Sequence, residues 1–105
     1  MQDAYTVDAP TREEVEAIPG PVVLEFGTPW CGFCRGAQPH IADALAQRGD
    51  VSHLKIEDGP GRALGRSFRV KLWPTLVFLK DGQEIARVTR PRGAAEIAAA
   101  LSQIA

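Results

Sequence analysis

Two cysteines, two histidines, one tyrosine and one methionine are all that this chain of 105 residues holds of those types. So few cysteines exclude the disulfide framework that staples many small secreted domains. Both sit in one C-x-x-C, Cys31-Gly32-Phe33-Cys34, and so short a loop restrains little of an unfolded chain, so a reactive pair is expected rather than a staple. The same scarcity argues against zinc, because one C-x-x-C supplies half a tetrahedral shell, no second one exists, and His40 and His53 are not at ligand spacing. No metal is expected. Missing too is any apolar run of about 18 residues, so no membrane span is expected. Charge of one sign is not in excess: the net value of -1 argues against a general nucleic-acid binder. The start, Met1-Gln2-Asp3-Ala4, lacks the basic and apolar regions of a secretory signal, and with Met1 as the native start the expected compartment is the cytoplasm.

What is present suits one domain, 1–105, with a core of its own: 45% of residues are apolar and 24% charged. Residues 1–60 carry four Lys/Arg against ten Asp/Glu, and residues 61–105 carry eight against three, which predicts a polarised surface. A short strand is expected at 5–7. Thr11 and Glu14 stand at capping-box spacing before a helix over 12–18, which Pro19-Gly20-Pro21 ends. Residues 22–26 are apolar except for Glu25, the pattern of a strand covered on both faces. Phe33, Ala37, Ile41 and Leu45 recur every four residues and predict a helix over 32–48, bent at Pro39. A strand at 51–57, a turn at Asp58-Gly59-Pro60-Gly61, a short helix over 62–68 and a strand at 75–79 follow. The Asp81-Gly82 hairpin then returns along 84–89, and a helix over 93–104 closes the chain. This order predicts an α/β fold, a mixed sheet of four to five strands with helices on both faces.

The stretch 22–39 organises the chemistry. Reactive loops of open α/β sheets lie at the carboxyl ends of strands, and the strand at 22–26 delivers Cys31 to such a place. At the start of a helix the dipole and the unpaired amides favour a thiolate. Cys31 is therefore the expected nucleophile, forming a mixed disulfide with a client, and Cys34, one turn further in, the resolving thiol.

Leu24-Glu25-Phe26 ahead of Thr28-Pro29-Trp30-Cys31-Gly32-Phe33-Cys34, Pro39 within the helix, Trp73-Pro74-Thr75, and Lys80-Asp81-Gly82 in the hairpin together resemble the thioredoxin family, over nearly the whole chain. A lone C-x-x-C is weak evidence; this set in this order is specific. The resemblance implies a thioredoxin fold and a thiol–disulfide oxidoreductase that acts on protein disulfides without a cofactor. Cys31 and Cys34 would form its redox-active disulfide, thioredoxin reductase would be a candidate electron donor, and a monomer is the default. It also implies a cis Pro74 against the cysteines, and a client groove drawn from Trp30, Gly32, Phe33, Trp73, Pro74, Thr75 and Arg90. Glu25 matches a strand aspartate that serves as base for the second cysteine. Burial of its carboxylate should raise its pKa toward a useful range.

The departures from the family pattern carry information. Phe33 stands where reductant members mostly have proline, which predicts a somewhat more oxidising couple. Gly27 replaces a residue that is usually aromatic, Trp73 a smaller aliphatic one, and Arg90 a glycine that often lines the groove. His53 matches a lysine near the acid; a lone strand histidine is more often a tolerated surface or semi-buried residue, and a Glu25/His53 pair that titrates near neutrality is the alternative; His40 reads as surface. Arg35, Lys71, Arg90 and Arg92 are expected to ring the active face and favour acidic clients. Two rivals fit less well. Gly59, Gly61 and Gly65 mimic a dinucleotide loop with the wrong spacing, and Gly32-Phe33 is not the Pro-Tyr of glutaredoxins. A redox-independent chaperone or complex-assembly module on the same fold remains the alternative.

Overall fold

A nearly unbroken apolar run makes β1 (Pro21–Gly27) a central strand, buried from Val22 onward. The computed structural model describes residues 4–46 and 48–105, and in it β2 (Ser52–Glu57) pairs with β1 in parallel while β3 (Thr75–Lys80) pairs antiparallel on its other side. β4 (Gln83–Thr89) follows β3 through the hairpin, giving the order β2-β1-β3-β4. Asp81 (φ 49°) and Gly82 (φ 84°) are both left-handed, as a tight hairpin turn requires. A Cβ on Gly82 would also stand 2.3 Å from the Glu16 carbonyl oxygen, so glycine is needed there twice over.

Period-two alternation divides the core between the faces of the sheet. Val23, Leu76 and Phe78 pack with Ile41 of α2 (Gly32–Leu45) and with Ile97 and Leu101 of α4 (Ala94–Ser102). Val22, Leu24, Phe26, Val77 and Leu79 pack on the opposite face, with Val15 of α1 (Arg12–Glu16) and Leu64 of α3 (Ala63–Ser67). Glu25 falls on the Val23 face and so points at α2. In the parallel register His53 lies opposite Val23 and Lys55 opposite Glu25, which puts both on that same face.

The expected elements are present with local differences. The segment at 5–7 is an isolated parallel bridge, Thr6 to Ile56, rather than a strand, so the described sheet has four strands. The capping box of α1 forms, with Thr11 Oγ1 accepting from the Glu14 amide at 3.1 Å and Glu14 Oε1 from the Thr11 amide at 2.9 Å. That helix stops at Glu16 because Ile18 precedes a proline and is pushed out of the helical region. α2 contains Pro39 and ends at Leu45 instead of 48; Ala46 and Arg48 bond three residues back, tightening the last turn, and Gln47 lies outside the described residues. Among the described residues no helix is long and apolar enough to cross a membrane.

Candidate active site

Past Gly27 the chain runs through Thr28-Pro29-Trp30 to Cys31, the N-cap of α2. The Cys31 backbone is extended (φ -80°, ψ 122°), and its Sγ accepts from the Cys34 amide at 3.2 Å, the part usually played by a serine or aspartate oxygen. Both cysteines are free thiols. Cys31 keeps 8% of its surface in contact with solvent and Cys34 only 1%, so Cys31 is the more accessible of the two. Burial, reinforced by the hydrogen bond with the Cys31 sulfur, pushes the Cys34 thiol up to about 12. At neutral pH it therefore holds its proton.

Facing the thiols is the loop before β3. The Trp73–Pro74 peptide is cis, and the Cys31 Sγ lies 3.9 Å from the Trp73 carbonyl oxygen. Trp73 is fixed on three sides: its indole donates to Asp58 Oδ2 at 2.8 Å, its ring meets Trp30 edge-on at 5.7 Å, and its carbonyl accepts from Arg90 Nε at 2.8 Å. Thr75 is buried and donates to the Leu72 carbonyl at 2.6 Å, holding the turn behind the proline. Trp30 (70% exposed) and Phe33 (60% exposed) stand out beside Cys31, an apolar face whose ring contacts among the described residues are with Trp73 and Arg90. An open cavity of about 980 Å³ begins at Gly32 and Phe33 and extends past His40, Leu72, Arg90 and Arg92.

Behind Cys34 lies a polar network. Glu25 is fully buried. Its Oε1 lies 2.9 Å from His53 Nε2, and its Oε2 accepts from the Tyr5 hydroxyl and from Gln38 Nε2 at 2.8 Å. Gln38 also donates to the Cys34 carbonyl at 3.0 Å, and its own Oε1 accepts from Lys55 Nζ at 2.7 Å. The Lys55 ammonium stands 4.7 Å from the centre of the Tyr5 ring.

The network corrects one expectation. Burial does push the Glu25 carboxyl up, but hydrogen bonds from His53, Tyr5 and Gln38 and the charge of Lys55 outweigh it and hold the carboxyl below its usual range. Glu25 is thus a firmly ionised acceptor, not the half-neutral acid that desolvation alone would give. The alternative for His53, a contact with Glu25, is the one that is made. The ring of four cations is not drawn on one groove: Arg90 and Arg92 line the cavity beside Phe33, whereas Arg35 lines a separate one with Cys34 and Tyr5, and Lys71 is simply exposed. His40, read as surface, is half-buried in the wall of the Phe33 cavity. The sequence reading missed Tyr5, Gln38 and Lys55. Two signals for them existed: Gln38 falls four residues after Cys34 on one helix face, and Lys55 alternates with His53 toward the face of Glu25.

A dithiol at a helix N-terminus, set against a cis proline on a mixed sheet, defines the class of the molecule as a thiol–disulfide oxidoreductase. The chain belongs to the thioredoxin family: the family model described as Thioredoxin matches residues 4–103. The chain is similar to the structure of thioredoxin 2 from Pseudomonas aeruginosa PAO1 in its reduced form, with 52% identity and a TM-score of 0.87 over 99% of this chain and 96% of that one. It is 30% identical over 98 residues to a thioredoxin of Mycobacterium tuberculosis (strain ATCC 25618 / H37Rv), covering 92% of this chain and 84% of the relative. The crystal structure of thioredoxin NaTrxh from Nicotiana alata is similar as well, with 27% identity and a TM-score of 0.73 over 89% and 80% of the two chains. Family membership and the Cys31–Cys34 pair together decide for the oxidoreductase over a redox-independent binding module.

Proposed function

We propose that this chain is a single-domain, monomeric reductant of protein disulfides. Cys31 attacks one sulfur of a client disulfide, the other client sulfur leaves as a thiolate, and a mixed disulfide remains on Cys31. Cys34 then attacks the Cys31 sulfur, the second client thiolate leaves, and Cys31–Cys34 closes as the oxidised form, two electrons having passed to the client. Glu25 accepts the Cys34 proton. The client segment lies extended along Trp73-Pro74-Thr75, with Trp30, Gly32 and Phe33 as its apolar floor and Arg90 as a charged edge. The observation that carries the reading is the stacking in depth: Cys31 at the surface beside the Trp73 carbonyl, Cys34 behind it, and a buried carboxylate behind that.

Electrons would come from NADPH through a thioredoxin reductase, in the cytoplasm. Phe33 supports a couple somewhat more oxidising than that of family members with proline there, because the helix start is less restricted. The test is trapping. Cys34→Ser should hold a mixed disulfide through Cys31, and Cys31→Ser should form none. Disulfide reduction with NADPH and the reductase supports the reductant role, whereas activity confined to a glutathione buffer would make the protein an isomerase or oxidant. No adduct on Cys34→Ser would sink the two-thiol scheme.

A further inference from the structure

Cys34 carries a proton that burial makes hard to remove, and Glu25 makes no direct bond to its sulfur among the contacts of the described residues. Tyr5 stands between them. Two backbone bonds, from the Thr6 amide to the Lys55 carbonyl and from the Glu57 amide to the Thr6 carbonyl, both at 2.9 Å, clip the segment around Tyr5 to β2. That places the phenol end against Gly27, where a Cβ would lie 2.7 Å from Tyr5 Oη and 2.7 Å from Cys34 Sγ. Hydroxyl and thiol therefore share the space that a side chain at position 27 would take. The hydroxyl donates to Glu25 Oε2, and the Cys34 sulfur is its neighbour over Gly27.

The geometry points to Tyr5 as a catalytic residue, its hydroxyl carrying the proton of Cys34 to Glu25 as Cys34 attacks the mixed disulfide. This rests on the assignment of Cys34 as resolving thiol made above. In the step the Cys34 S–H bond breaks as its proton passes to Tyr5 Oη, and the former Tyr5 proton passes to Glu25 Oε2. The Cys34–Cys31 S–S bond forms as the Cys31–client S–S bond breaks, and the client sulfur takes the electron pair. Tyr5 ends neutral, Glu25 ends protonated, and no outside reactant is needed.

The surroundings fit a hydroxyl that transfers protons without ionising. Burial first, then the Glu25 charge, push the Tyr5 phenol far above its ordinary value, so it stays a donor at any working pH. The charged and titratable groups facing it are Glu25 from β1, Lys55 from β2 and Cys34 from α2, with His53 one bond further off on Glu25. A cavity of about 270 Å³, lined by Tyr5, Pro29, Cys34, Arg35, Gln38 and Lys55, opens beside the hydroxyl and the thiol. Gly27, unusual for the family, becomes intelligible: the aromatic group comes from the start of the chain instead of from β1.

The experiment follows release of thionitrobenzoate from its mixed disulfide with Cys31, made by adding Ellman's reagent to the reduced protein. Tyr5→Phe keeps the ring and removes only the hydroxyl. At pH 7 it should slow the release by roughly tenfold or more, with the deficit closing as rising pH lets hydroxide take the Cys34 proton. The first attack by Cys31, timed in Cys34→Ser with and without Tyr5→Phe, should not change, and thermal unfolding should confirm that both proteins are folded. Tyr5→Phe combined with Glu25→Gln should be no slower than the slower single variant, because both lie on one proton path. In the wild type, release in H2O/D2O mixtures should report two protons in flight. Release from Tyr5→Phe at the wild-type rate, multiplicative slowing in the double variant, or a one-proton inventory would overturn the relay while leaving the two-thiol scheme intact. Failure of Cys34→Ser to hold the adduct would overturn both.

Discussion

The Arg90 guanidinium lies over the Phe33 ring, 3.8 Å from its centre, while its Nε donates to the Trp73 carbonyl. One side chain thus ties together both walls of the groove: the helix that starts at the cysteines and the loop that ends in the cis proline. It does so from a left-handed backbone, φ 52°, which is the conformation that favours glycine.

That backbone sets a test of what Arg90 contributes. Arg90→Gly should relieve strain of about 1 kcal/mol that Arg90→Ala retains, so the glycine variant should be the more stable of the two in urea unfolding. Both variants should lose the cation–ring contact. If the alanine variant is the more stable, the left-handed strain is not real.

Arg90 and Arg92 line one cavity and make that side of the groove positive, so reduction of an acidic client should slow as salt is raised, by screening over roughly 10 Å at 0.1 M. Arg90→Ala should flatten the dependence. Rates independent of salt in the wild type would remove the preference for acidic clients.

Phe33→Pro should make the couple more reducing. Equilibration with glutathione should place the wild type above about -270 mV and the variant below the wild type, each 30 mV being about a tenfold change in the equilibrium constant. A wild-type value at or under -270 mV, to the nearest ~10 mV, would contradict the role given to Phe33.

Gly27→Ala inserts a methyl group 2.7 Å from Cys34 Sγ and 3.0 Å from Tyr5 Cζ. Neither the buried sulfur nor a phenol ring held by Glu25 moves freely, so a loss of about 1–3 kcal/mol is expected from urea unfolding. Resolution of the mixed disulfide should slow with it, because the same contact carries the proton.

Stability should fall at both ends of the pH scale for separable reasons. Glu25 titrates lower in the folded protein than its ordinary 4.5, so its contribution is present above pH 4.5 and is lost as pH falls through the folded value. Cys34 is raised from 9.0 to about 12, so its contribution is whole below pH 9 and is lost as pH rises toward 12. Thermal melts against pH should show Glu25→Gln losing the acid limb of this behaviour and Cys34→Ser losing the part of the alkaline limb that begins at pH 9, while the part that begins above pH 10 stays with Tyr5, whose phenol is also raised.

Most of the fold could be read from apolar periodicity and punctuation. The four-residue recurrence from Phe33 to Leu45 marks α2, and Asp81-Gly82 marks the tight hairpin between β3 and β4. The thiols, the cis proline and Glu25 were legible because they sit in fixed local patterns. The direction in which the Glu25 carboxyl shifts was not, since it depends on Tyr5, Gln38 and His53, which come from three other segments. Tyr5 itself lies in a stretch too short to show a period, and only a missing side chain at Gly27 hints that something else fills that space.

The bridge through Thr6 gives the leading stretch of the chain a stake in turnover. Cutting back beyond Tyr5 would spare both sulfurs, the helix they open and the whole sheet, so such a shortened protein would pass every check of shape and still exchange its electrons sluggishly. Fusion partners or tags joined at that end pull on the same anchorage, and their effect belongs in the kinetics rather than in the melting curve.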